Sequence, residues 1–201
     1  MICDEKKILR KKMHKIQKDY IEKLLPKEKF SLTENLCEKI TSLKEYKDSD
    51  LILAYISDTL EADCIPVILD ALEKGKKVAV PKVDSMAIKC GRSEMDFYFL
   101  ENRPLEEQLE YGTYGIREPK DGLKKLIWGV AGTSPFVIVP GVAFTKDGKR
   151  LGHGKGFYDI YISEMKKEGL NPFLCGVCLP CQIVENLPAD ENDELMDKVV
   201  F

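Results

Sequence analysis

The 201 residues hold no apolar run approaching the ~18 to 20 residues needed to cross a bilayer. The opening MICDEKKILRKK has no apolar stretch of the signal-peptide kind. A cytoplasmic protein with no membrane partner is therefore expected. Histidine is scarce: only His14 and His153 occur, and neither stands in a Ser/His/Asp or Cys/His spacing. Nucleophilic side-chain catalysis thus has little support. Internal repeats, low-complexity tracts and Gly/Pro-rich linkers are also missing, so residues 1–201 read as a single domain. A broad basic surface is absent too, since the net charge is −3, and this argues against nucleic acid as the main partner.

What charge there is lies unevenly. Residues 1–30 carry 10 Lys+Arg against 5 Asp+Glu, which leaves the remainder acidic. A basic segment on an acidic body suits an anionic small ligand, or simply a solvated helix face. The seven cysteines are odd in number and come without an export signal, so free thiols are expected.

Leu9, Met13, Ile16, Tyr20 and Leu24 recur at helical spacing and predict a helix over residues 6–25. Ser31 with Glu34 three residues on has the form of a capping box opening a second helix. The texture then changes. LILAYIS (51–57), KVAVPKV (77–83), MDFYFL (95–100), FVIVP (136–140) and FLCGVCL (173–179) read as strands, and Val199–Phe201 as a short last one. Near-continuous apolar strands are covered on both faces. IPVILDALEKG and FYDIYISEMKKEG read as helices, and a further short helix is expected before Trp128. The alternation predicts an α/β fold, three-layer α/β/α with a mainly parallel central sheet.

The most informative stretch is PGVAFTKDGKRLGHGKGFYD, residues 140–159, which holds 5 of the 14 glycines. It leaves a buried strand and opens a helix. Glycines let a backbone approach a ligand closely, and the helix N-terminus adds partial positive charge. Lys149, Arg150 and Lys155 add full charges, so a polyphosphate fits the set best. A surface hairpin in which glycine serves only turn geometry is the plain alternative. The loop is not a Walker A motif, because Gly156 stands where Ser/Thr is required.

Other candidates are weaker singly. Asp159, in the first turn of the following helix, could hold Mg²⁺ against phosphate oxygens, or merely complement the helix dipole. Lys6, Lys7, Arg10 and Lys11 cluster on about one turn. Glu61 and Asp63 follow a predicted strand at its carboxyl end, where a carboxylate could bond a polar heterocycle. Cys175, Cys178 and Cys181 have metal-like spacing, but residues three apart on a strand face opposite sides, which favours buried thiols.

Taken together, these residues resemble the 5-formyltetrahydrofolate cyclo-ligase family, also called 5,10-methenyltetrahydrofolate synthetases. The loop at 140–159 is the most specific match. KKILR (6–10), AYISDTLEAD, YGIREP and ENDELMD follow the family pattern in order. The resemblance implies ATP- and Mg²⁺-dependent closure of 5-formyltetrahydrofolate to 5,10-methenyltetrahydrofolate, with ADP and phosphate released through a phosphorylated imidate. Carried over, Lys155 and Arg150 would act on the phosphoryl group. Lys6, Lys7, Ile8, Leu9 and Arg10, with Arg150, Leu151, Gly152, His153, Gly154, Lys155, Gly156, Phe157 and Tyr158, would bind ATP. Ile56, Glu61, Tyr114, His153 and Phe157 would meet the folate, and Asp159 and Asp193 the Mg²⁺. A monomer acting on small molecules is expected. Thr145 departs from the family's usual Asp, His153 from its Tyr or Arg, and CGVCLPCQ from its mostly non-cysteine residues, while Gln182 is retained. The rival readings are a sugar-phosphate isomerase or small-molecule kinase, and a non-enzymatic module that docks through its basic helix.

Overall fold

The computed structural model describes residues 2–112, 115–127, 134–190 and 192–201. Its centre is a six-stranded sheet. The strands are β1 (Leu51–Leu53), β2 (Lys77–Val83), β3 (Met95–Leu100), β6 (Phe136–Val139), β9 (Phe173–Val177) and β10 (Lys198–Val200). Their order is β10-β9-β6-β1-β2-β3. All neighbours are parallel except β2 and β3. Two small hairpins stand outside it, β4 (Leu109–Tyr111) with β5 (Arg117–Pro119), and β7 (Ala143–Phe144) with β8 (Arg150–Leu151).

The apolar runs become strands because helices cover both faces. Alternate residues enter opposite cores: Ile52, Phe136 and Ile138 face one side, and Leu51, Leu53, Val137 and Val139 the other. The first core is closed by α2 (Pro26–Ser42) and α4 (Ile65–Glu73) through Leu36, Ile40, Val67 and Ile68. The second is closed by α7 (Phe157–Lys167) through Tyr161, Ile162 and Met165. The three-layer arrangement with a mainly parallel sheet is thus as expected. Cys175 and Cys178 fall in opposite cores, and burial raises both thiols, Cys175 to about 12.

Several expectations are corrected. The first helix, α1, spans Ile2–Lys23 rather than 6–25, and Pro26 prevents its extension. Its buried positions are Lys6, Met13 and Gln17, while Leu9, Ile16 and Tyr20 are half-buried. Two polar residues are buried because α1 lies over the 140–156 loop rather than on the sheet, with Met13 packed on Val142 and Leu151. The second helix begins at Pro26, not Ser31: proline suits a first helical position, and Glu28 accepts the Leu25 N–H at 2.8 Å. Strand β1 ends at Leu53. One further bond, Ala54 N–H to the Ala79 carbonyl, precedes a buried loop held by the Tyr55 hydroxyl on the Ala62 carbonyl at 2.7 Å. No helix forms over 119–127, where Lys125 instead bridges Tyr98; Trp128 lies outside the described residues. Short helices α3 (Lys44–Asp48), α5 (Ser85–Lys89) and α6 (Leu105–Gln108) went unsignalled because each is only about one turn long.

Candidate functional site

The chain runs from β1 outward through β2 and β3, then returns to β6 and builds outward the other way through β9 and β10. Strand order therefore reverses between β1 and β6. In open α/β sheets the crevice at such a point, beyond the strand carboxyl ends, is where ligands bind. The loop after β1 carries Ile56 and Glu61, and the loop after β6 carries residues 140–156.

The second loop has the hairpin geometry that was the plain alternative. Residues 143–151 are a hairpin, and 152–156 then form an open strip leading into α7. Thr145 closes the turn: it exchanges backbone bonds with Lys149 and Gly148, and its hydroxyl accepts the Lys149 N–H at 3.0 Å. Buried Gln182 fastens the loop's start. Its amide donates to the carbonyls of Gly141 (2.6 Å) and Val142 (3.2 Å), while its own oxygen accepts the Leu179 N–H at 2.7 Å.

Two cavities flank the strip. The inner one, about 360 Å³, gathers Ile56, Glu61, Arg150, Gly152, His153, Lys155, Gly156, Phe157, Tyr158 and Asp159. Asp58, Arg117 and Glu118 add charge to its wall, and Pro81, Met95 and Ile116 apolar surface. The Arg150 Nε and the Tyr158 hydroxyl are buried and have no partner among the described residues, as polar atoms awaiting a ligand would be. Arg150 is otherwise committed to Asp159 at 2.6 Å and to the Pro140 carbonyl at 3.2 Å. Lys155 is exposed and makes no ion pair among the described residues.

Glu61 lies 3.9 Å from His153. Burial, reinforced by Asp58, pushes the Glu61 carboxyl up to about 7, against a hydrogen bond from the Asp58 backbone. Burial lowers His153, with His14, Arg150 and Arg10 acting in the same direction and Asp58 opposing. Both shifts act against charge on this pair.

The outer cavity, about 750 Å³, lies between α1, the strip, α7 and the acidic tail. Lys6, Arg10, Leu151, Gly152, Gly154, Gly156, Asp159 and Asp193 line it. Arg10 donates to the Gly152 carbonyl at 2.7 Å. Gly154 has a φ of +89°, which favours glycine, and a Cβ there would stand 3.0 Å from the Arg10 guanidinium carbon, which would have to shift slightly. Lys6 bonds Asp190 (2.7 Å) and Asp193 (2.5 Å). Burial would lower the Lys6 ammonium, but these two carboxylates outweigh it and raise it.

The expected ATP-binding set is therefore divided. Lys6, Arg10, Leu151 and Gly154 face the outer cavity, Arg150, His153, Lys155, Phe157 and Tyr158 the inner one, and Gly152 and Gly156 line both. Lys7 and Ile8 are exposed and line neither cavity, while Leu9 packs beneath the hairpin. Tyr114 lies outside the described residues. Asp159 and Asp193 each keep one carboxylate oxygen clear of the bonds made by the other (Asp159 Oδ1 meets Arg150, Asp193 Oδ2 meets Lys6), and both line the outer cavity. No group of three His, Cys, Asp or Glu able to hold a metal occurs among the described residues. Two carboxylates fit Mg²⁺ only where phosphate oxygens complete its shell. Asp190 and Arg117 were missed by the sequence reading. The acidic tail was a weak signal for the first, and the second lies within YGIREP, a segment matched to the family pattern with no role given to its arginine.

Comparison with known proteins gives a consistent picture. The model of the 5-formyltetrahydrofolate cyclo-ligase family matches residues 2–201. A probable 5-formyltetrahydrofolate cyclo-ligase of Caenorhabditis elegans is 29% identical over 197 residues, covering 97% of this chain and 93% of the relative. One from Schizosaccharomyces pombe is 32% identical, covering 83% and 81%. The solved 5,10-methenyltetrahydrofolate synthetase of Aquifex aeolicus superposes with a TM-score of 0.72 at 30% identity, covering 96% of this chain and 89% of that one.

Proposed function

The chain belongs to the 5-formyltetrahydrofolate cyclo-ligase family, and from that premise we propose that it closes 5-formyltetrahydrofolate to 5,10-methenyltetrahydrofolate at the cost of ATP. The observation that carries this reading is the pair of cavities meeting at one glycine strip. The inner one offers a weakly charged carboxylate and unpartnered polar atoms to a heterocycle, and the outer one offers cations to a polyphosphate.

Ring closure of this kind needs no side-chain nucleophile. The formyl oxygen takes the γ-phosphoryl group from ATP as ADP leaves, N10 adds to the activated carbon and loses its proton, and phosphate leaves. What the protein must supply is alignment and positive charge. Glu61 receives the pterin's N–H groups, with Ile56 and Phe157 on its apolar edge. Gly152 and Gly156 line both cavities, so the γ-phosphoryl group meets the formyl oxygen where the two spaces join. Arg10 and Lys6 attract the phosphates from α1. Lys155 and Arg150 face the transferring group. Asp159 and Asp193 would hold Mg²⁺ together with phosphate oxygens, and that ion would supply neutralisation of the polyphosphate charge.

The test is to mix protein, Mg-ATP and 5-formyltetrahydrofolate and follow the methenyl absorbance together with ADP. Product should form one-for-one with ADP. Product forming equally well without ATP would overturn the reading, and the rival kinase or isomerase predicts no methenyl band at all.

A further inference from the structure

Of the three buried residues of α1, Lys6 serves the outer cavity and Met13 packs on the hairpin, which leaves Gln17. It is 1% exposed and stands one turn from both Met13 and Ile21, a position where an aliphatic side chain would pack without loss. Its amide oxygen is buried and has no partner among the described residues. Its amide nitrogen donates to the Leu60 carbonyl over 3.4 Å, against about 2.9 to 3.0 Å for an ordinary bond of this kind. A buried amide so poorly satisfied lowers stability rather than raising it.

What the amide holds is the peptide that joins Leu60 to Glu61. The carbonyl of that peptide accepts from Gln17, and its N–H donates to the Asp58 carboxylate at 3.1 Å. A peptide unit is planar, so tying both ends fixes its plane and with it the direction in which Glu61 leaves the chain. The Glu61 carboxylate then lies 3.9 Å from His153 and accepts the Asp58 N–H at 3.1 Å. The same helix backs the other partner, because the His14 ring, three residues before Gln17, lies 5.9 Å from that of His153. Glu61 and His153 line the inner cavity, whereas Gln17 stands behind it.

We propose that Gln17 is a positioning residue, which aims Glu61 at the heterocycle by holding the Leu60 carbonyl from α1. The inference rests on the cyclo-ligase reading, because it takes Glu61 to receive the pterin. Gln17 touches neither ligand, so its effect on the folate must pass through Glu61, and it should have no effect on the nucleotide, whose cavity it does not line.

The test is a double-mutant cycle on folate binding. Dissociation constants for 5-formyltetrahydrofolate and for Mg-ATP are measured separately on the wild type, on Gln17→Leu, on Glu61→Ala and on the two combined. Gln17→Leu loses the bond and the unpaired oxygen together, so it should unfold in denaturant no more readily than the wild type. It should bind the folate about fivefold more weakly, the order that one neutral hydrogen bond supplies, and Mg-ATP as before. In steady state the folate KM should rise by more than kcat falls, as for a group used in binding. In the Glu61→Ala background the same change should weaken the folate by less than about twofold, since no carboxylate remains to be aimed. A folate Kd untouched by Gln17→Leu would overturn the proposal. An equal loss in the Glu61→Ala background would do the same, because Gln17 would then prop the loop in general. A loss shared by Mg-ATP, or a Gln17→Leu variant less stable than the wild type, would also overturn it. If the wild type does not bind 5-formyltetrahydrofolate, or binds it and forms no methenyl product with Mg-ATP, the cyclo-ligase reading itself falls and the positioning role falls with it.

Discussion

At the scale of single residues, Glu61 is where burial and function pull apart. Its carboxyl sits near 7 in the folded chain against an ordinary 4.5. Between those values the folded state holds a proton that the unfolded state has lost. Stability therefore falls as pH rises through that window and stays lower above it. The shift corresponds to a penalty of up to about 3 kcal/mol in the ligand-free protein. Glu61→Gln removes the ionisation, so the variant should gain thermal stability relative to wild type at pH 8 and little at pH 4.5. A Tm difference equal at both pH values would defeat the argument. The same variant should lose roughly 1.5 to 3 kcal/mol of folate affinity, the usual worth of a hydrogen bond to a charged group. Mg-ATP affinity should hold.

Lys155 is the complementary case. Lys6 and Arg150 are tied to carboxylates, whereas Lys155, beside the inner cavity, makes no ion pair among the described residues. A free cation on a transferring phosphoryl group acts more strongly in the transition state than in the ground state. Lys155→Ala should lower kcat by a barrier of about 2 to 4 kcal/mol. A rise in the ATP KM with kcat unchanged would make it a simple binding group. The sequence pointed to both residues by their place after apolar strands. It could not show that Glu61 faces His153, because that contact depends on which strands become neighbours.

At the scale of elements, legibility followed length and period. KVAVPKV and MDFYFL become β2 and β3 with the expected bounds because they pair with each other along nearly their whole length, whereas β1 stops at Leu53 inside the more apolar LILAYIS. Boundaries failed where a local signal competed with a stronger one. Ser31 and Glu34 have capping spacing, yet Pro26 lies five residues earlier and starts α2. The role of Gln182 was invisible for another reason: a lone polar residue after a strand says nothing about what it will fasten. In the fold it stitches the first carbonyls of the 140–156 loop to the turn beyond β9. Gln182→Leu keeps the bulk but leaves the Leu179 N–H and the carbonyls of Gly141 and Val142 unpaired in a dry interior. A loss of about 3 kcal/mol is expected from denaturant unfolding, with lower turnover because the loop's origin loosens. A loss below about 1 kcal/mol would mean that water or a neighbour replaces the bonds, and that Gln182 does not set the loop.

At the scale of the whole molecule, the sequence indicated a parallel sheet but not its strand order, and the order is what makes a site. Reversal between β1 and β6 sets residues 57–65 on one side of the 152–156 strip. The N-terminal half of α1 and the acidic tail lie on the other side, so the two substrates should protect different parts of the chain. Mg-ATP alone should slow amide hydrogen exchange in residues 2–10, in 152–156, at the start of α7 and in 192–197, segments far apart in sequence that meet only around the outer cavity. 5-Formyltetrahydrofolate alone should slow exchange in 57–65, in 152–156 and in β5, and should leave the tail as it is. The strip alone should respond to both. At a hundredfold excess over Kd either ligand should also stabilise the fold by about 2.7 kcal/mol, a mass-action effect that carries no positional information. Position is what decides the matter. If Mg-ATP protected residues 57–65 and the folate protected the tail, the pockets would be exchanged, and with them the roles given to Glu61, Lys6 and Asp193.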